Sequence, residues 1–167
     1  MELSKRGESF VSNPENKLAD KREWILRRAM SKDVGKLHRN GEWSIHKVRK
    51  YLRAVDRFKE LLLFCMHVTS GQPARGSEVT SMRYRNGYLQ DRNIYILFGI
   101  IMSVTRYHKS QSQWDAPKVV PRFPPWRVGQ LMTVYLAYVR PLEDYLTVNV
   151  MGGGWTDYIW ANKQGSP

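Results

Sequence analysis

Arg75 and Glu78 stand in the segment GQPARGSEVTSMRYR (residues 71–85), where a guanidinium and a carboxylate three positions apart follow a Gly-Gln-Pro break. Pro73 lacks an amide donor and disfavours helical geometry at Gln72, so one helix ends before it and a second, shorter helix opens at Arg75. On that helix the two side chains share a face. Helix N-termini carry partial positive charge and attract acids. A cation there predicts either an ion pair with Glu78 that fixes the turn, or an anionic ligand. Two further groups of cations have the same chemistry on offer. Arg106, His108 and Lys109 close an apolar segment, and Lys47, Arg49, Lys50, Arg53, Arg57 and Lys59 fall opposite the apolar row Ile45, Val48, Leu52, Val55, Phe58 and Leu62. Guanidinium and ammonium groups spaced in this way bind phosphate oxygens.

Other chemistries lack their residues. Gly71, Gly76 and Ser77 have the spacing of a phosphate loop, but its lysine is missing and the preceding element is a helix, so no nucleotide-binding loop is predicted. The single cysteine, Cys65, lies in the apolar run LLLFCMHV as a small buried hydrophobe. The four histidines, His38, His46, His67 and His108, share no metal-ligand spacing. No metal and no cofactor are predicted. Glu143 and Asp144 are adjacent and point different ways on a helix, which does not suit a hydrolytic carboxylate pair.

The positioning elements follow from periodicity. Residues 1–20 are polar with no apolar period and read as a flexible arm, followed by a short helix over 18–30 with a basic face. Residues 33–43 read as a loop with turn signals at Gly35 and Asn40-Gly41. Ser44 caps a long helix whose C-terminal part, residues 61–66, is apolar on nearly all sides and is expected to be buried. Residues 92–98 and 100–108 form a hairpin broken at Gly99, and Lys118, Val119 and Val120 return as a third strand before Pro121. Pro124-Pro125 opens a helix that Pro141 kinks or ends, with a further turn over 142–146. The tail carries three consecutive glycines, then Trp155, Tyr158 and Trp160 as a docking strand. The fold class is therefore α+β and mainly helical, with a small antiparallel sheet of two or three strands and a C-terminal helix. Its expected parts are a basic, partly flexible arm with a short helix (1–43), a core (44–146) and a Gly-rich, aromatic tail (147–167).

The chain of 167 residues carries 27 Lys and Arg against 15 Asp and Glu, a net charge of +12. The excess is +7 over residues 1–60, +6 over 61–127 and −1 over 128–167. Such a field attracts polyanions, nucleic acid foremost. No apolar run reaches the length of a membrane span, and the N-terminus lacks the apolar core of a secretory signal. A nuclear or cytoplasmic protein that does not engage a membrane is expected.

The order of a buried helix, a turn with Arg75 and Glu78, and a hairpin ending at Lys109 resembles the first half of the catalytic domain of tyrosine recombinases, the phage-integrase superfamily. The segments VDRFKELLLFCMHVTSGQPARGSE, RNIYILFG, VTRYHKS and RFPPWRVGQLMTVYLAYVRPL are similar to a block in fungal recombinase-like mobile elements and fungal telomere-linked RecQ-type helicase-like proteins, over roughly residues 40–160. The resemblance implies that Arg75, with Glu78, contacts a scissile phosphate and that Lys109 acts as general acid toward the leaving oxygen. It also implies a His-x-x-Arg box and a tyrosine nucleophile after the lysine. Neither follows Lys109 as the pattern requires: His46-x-x-Arg49 precedes Arg75, and Tyr145 and Tyr158 have no box to assemble beside them. The expectation is a DNA-binding, catalytically incomplete domain that is not an enzyme on its own. Arg75, Lys109, Arg106, His108, Arg49, Arg53 and Arg57 would lie along the phosphate backbone. The alternative is a protein-interaction or effector-like module that kept the fold without the nucleic acid, and that self-associates or engages a partner protein through exposed apolar surface.

Overall fold

The computed structural model describes residues 5–18, 23–31, 37–88, 90–107 and 118–161. In chain order the elements are α1 (Trp24–Met30), β1 (His38–Arg39), β2 (Glu42–Trp43), α2 (Ile45–Thr69), α3 (Gly76–Thr80), β3 (Ile94–Leu97), β4 (Ile100–Tyr107), β5 (Lys118–Arg122), α4 (Trp126–Val134) and α5 (Arg140–Tyr145). The architecture is α+β. β1 and β2 form a minimal hairpin, β3-β4-β5 form an antiparallel sheet, and a long C-terminal helical rod closes the fold.

α2 is the axis. It buries Val48, Val55, Lys59, Leu62 and Met66, spacings of seven, four, three and four that keep one row facing inward at about 100° per residue. Full burial of each apolar member stabilises by about 1.5–3 kcal/mol. Val48 joins Ala29, Leu142 and Leu146 in one cluster, while Val55, Leu62 and Met66 join Ile94, Ile101, Met132 and Leu136 in a larger one. Two expectations are corrected here. Lys59 belongs to the inward row and not to the basic face, because its position continues the i+4, i+3 alternation from Leu52 and Val55. The C-terminal half is not buried all round: Leu61, Phe64 and Val68 are 50%, 64% and 58% exposed, because only one side of α2 meets the core.

Strands β3 and β4 pair from Ile94↔Ser103 to Leu97↔Ile100. Phe98 and Gly99 both have positive φ, 50° and 77°, as a two-residue hairpin loop matched to strand twist requires. Phe98, expected in the strand, is therefore in the turn. β5 runs through Pro121, beyond the expected stop, and Pro121 is tolerated because β5 is an edge strand.

The rod does not end at Pro141. α4 passes into a π-turn over Tyr135–Val139, then α5, then a second π-turn over Leu146–Val150. The Arg140 N–H donates to the Tyr135 carbonyl five residues back, so Pro141, which has no N–H, sits in the first turn of a re-registered helix. Gly129 lets this rod approach the sheet, since a Cβ there would lie 3.3 Å from Ile101 Cβ.

The chain's beginning is also not a free arm over residues 5–18. Phe10 and Val11 are buried in the larger cluster. The Gly7 N–H donates to the Asn86 carbonyl at 2.9 Å, and the Asn86 N–H donates to the Glu8 carbonyl at 3.0 Å. The tail docks through an Arg83↔Tyr158 bridge and an Ile159 N–H to Met82 carbonyl bond of 2.9 Å. Among the described residues no helix is long and apolar enough to cross a membrane.

Candidate functional site

Arg75 occupies the residue that caps α3, and its backbone N–H donates to the Glu78 carboxylate at 3.3 Å. Glu78 thus secures the backbone of the turn, and the Arg75 side chain is exposed. Beneath this turn Arg122 ties sheet to turn, donating from Nε to the Gln72 carbonyl at 2.7 Å and from a second nitrogen to the Thr105 hydroxyl. Arg106 lies on β4 in register with Val119. His108 and Lys109 lie outside the described residues, so the convergence of Lys109 with Arg75 stays an expectation from the sequence.

The α2 cations are at the other end of the molecule's axis. Lys47, Arg49, Lys50, Arg53 and Arg57 are all exposed. Arg57 pairs with Glu60 at 2.8 Å. Among the described residues, neither Arg49 nor Arg53 makes an ion pair. One turn apart, they stand at the mouth of a cleft of about 360 Å3 between α2, α5 and the tail, whose walls include Leu52, Met151 and Gly154.

The cleft floor is backed by a connected polar network. Lys59 Nζ donates to Glu143 Oε1 at 2.7 Å and lies 3.1 Å from Asp56 Oδ1. The Tyr135 hydroxyl donates to the other Glu143 oxygen at 2.8 Å. Arg140, only 3% exposed, donates to Asp144 at 2.7 Å and to the Tyr158 and Thr156 carbonyls at 3.0 and 2.8 Å. The Tyr84 hydroxyl donates to the second Asp144 oxygen at 3.3 Å. Burial raises Asp144 above the ordinary carboxylate range, and the Arg140 guanidinium offsets part of that rise. Burial likewise pushes the Tyr135 and Tyr84 phenols up.

Glu143 and Asp144 do diverge as expected, one toward Lys59 and one toward Arg140, yet both line the same cleft. The sequence puts Arg49, Arg53 and Lys59 together on a basic face; it gives no sign of Arg140 in the floor or of Tyr135 and Tyr84 buried behind it. The signal that existed was the unbroken apolar row of α2, into which Lys59 intrudes. Among the described residues no group of three or more His, Cys, Asp or Glu could hold a metal ion. No protein-family model and no solved structure matches this chain.

Proposed function

We propose that this protein binds DNA through its phosphate backbone and does not cleave it. The observation that carries this is the exposed cationic face of the first turns of α2, where Lys47, Arg49, Lys50 and Arg53 project without an acidic partner among the described residues. A rigid helix that presents these charges neutralises phosphates without reading bases, so binding is weakly sequence-dependent and releases counterions. Arg75, exposed at the α3 cap, adds a cation beyond the far end of α2; the resemblance to tyrosine recombinases implies that Lys109 contacts the backbone there, with Arg106 and His108 contributing to the basic surface. Within residues 110–167 no His-x-x-Arg box follows Lys109, so this stretch itself carries no group placed to attack phosphorus.

Fluorescence anisotropy with duplex DNA at a series of salt concentrations tests this. Affinity falls steeply as salt rises, and Arg49→Ala with Arg53→Ala lowers the logarithmic slope by about 2. Negligible binding at every salt concentration removes the proposal, and a covalent protein-DNA adduct formed by this chain removes its non-catalytic half.

A second reading, a module that associates with another copy of itself, is favoured by Leu61, Phe64 and Val68, which form an exposed apolar row on α2. A dimer in size-exclusion chromatography that Phe64→Lys disperses, together with indifference to DNA, would replace the first reading with this one.

A further inference from the structure

We infer that the cleft beside the α2 cations receives one nucleotide of a DNA strand, its phosphate on Arg49 and Arg53 and its base inside, an inference that rests on the DNA-binding reading above. The cleft's volume of about 360 Å3 falls in the size class of small-molecule pockets and exceeds what a flat base needs. Its mouth and floor differ in charge, and that difference fixes the orientation of the ligand. Two guanidiniums without acidic partners among the described residues stand one helical turn apart at the rim, a spacing that suits the oxygens of a phosphodiester. The floor carries three carboxylates, Asp56, Glu143 and Asp144, against two cations, Lys59 and Arg140. A phosphate is repelled from the floor and held at the rim; a neutral body rich in N–H donors is accepted below.

The floor has capacity left for such donors. Each oxygen of Glu143 and of Asp144 receives one hydrogen bond, from Lys59 and Tyr135 and from Arg140 and Tyr84. A carboxylate oxygen accepts two, so one lone pair on each remains. Because the four donors lock these carboxylates in place, a ligand meets a preorganised acceptor edge. The amino groups of guanine, adenine and cytosine match that edge; thymine offers a single imide N–H. Leu52, Met151 and Ala161 supply apolar wall against the faces of the ring. A base paired within a duplex cannot enter, so a single strand with its bases free is the preferred form.

Anisotropy with single-stranded DNA compares an intact strand, rich in guanine, with an abasic strand of the same length and the same phosphates. The intact strand binds about tenfold tighter, and oligo-thymidine falls between the two. Gly154→Trp places an indole at the mouth, where Gly154 is exposed and an added Cβ meets no atom within 4 Å. In that variant the intact strand drops to the affinity of the abasic one, which itself does not change. Arg49→Ala weakens both strands. Equal binding of intact and abasic strands by the unmodified protein overturns the inference and leaves the DNA-binding reading standing. Failure to bind any strand removes that reading, and a guanosine monophosphate titration then decides the cleft alone. A rise in melting temperature that Gly154→Trp abolishes assigns the cleft to free nucleotides, and no rise overturns it.

Discussion

Glu143 is the residue on which the cleft floor depends, because it accepts from Lys59 on one oxygen and from Tyr135 on the other inside a wall where its side chain is 11% exposed. Its removal leaves an ammonium without one of its two acids in a poorly hydrated place. Glu143→Leu is therefore expected to destabilise the protein by about 3–5 kcal/mol, the usual consequence of breaking one side of a buried pair. Adding Lys59→Met to it removes the stranded charge and should recover a good part of the loss, though the Tyr135 hydroxyl keeps only its longer contact with Arg140 at 3.4 Å. Urea titration of the two variants checks both statements, and a Glu143→Leu cost below about 1 kcal/mol would show that the network is not a stabilising unit. Half of this pair was misread, Lys59 being assigned to the basic face by its charge although its position says otherwise. Lys59 follows Leu52 and Val55 in the i+3, i+4 order of the apolar row, so helical geometry alone places it inward. Its partner was not legible, because Glu143 lies 84 residues away and only the packing of α5 on α2 brings the two together.

At the scale of elements, the hairpin β3-β4 shows where local chemistry and exposure conflict. A two-residue loop with positive φ at both positions favours Asn-Gly, yet the first position holds Phe98, 94% exposed. An L-residue with a bulky side chain is strained there and gains nothing by burial. Phe98→Asn should raise stability by about 1 kcal/mol, seen as a higher urea midpoint with an unchanged slope; no gain would mean that the ring is held by contacts outside this chain's own fold. The strands themselves were readable from alternating β-branched and aromatic residues, and the turn was misplaced by one residue because phenylalanine gives no turn signal. α2 was readable for a related reason and misread at its end. Periodicity fixes which side of a helix is most apolar, but not whether anything covers the opposite side, and among the described residues none packs over Leu61, Phe64 and Val68 enough to bury them. The further turn after Pro141 was readable, and α5 supplies it; the π-turn that joins it to α4 without a break was not, since that turn goes with the burial of Tyr135, Leu136 and Ala137 and not with any residue's local preference.

The two hydrophobic clusters are parts of one cooperative unit, because α2 feeds both and Tyr51 packs against each. That linkage has a measurable consequence at alkaline pH. Tyr51, Tyr84 and Tyr135 are all held above the ordinary phenol value near 10, Tyr51 at about 12, with burial as the main cause and with Glu143 adding to it at Tyr51 and Asp144 at Tyr84. Below pH about 10 these phenols are neutral in both the folded and unfolded chain, and their contribution to stability is complete. As pH rises further the unfolded chain releases three protons that the folded chain keeps, so unfolding is favoured by up to about 1.4 kcal/mol per pH unit for each of them. Between pH about 10 and 12 the protein should therefore unfold in one step, with far-UV circular dichroism and part of the tyrosinate absorbance changing at a common midpoint. Tyr51→Phe removes one of the three and should move that midpoint to higher pH. Smooth ionisation of every tyrosine near its ordinary value, complete before any loss of helix, would mean that the phenols under the cleft are reached by water without unfolding, and that the two clusters do not stand or fall together.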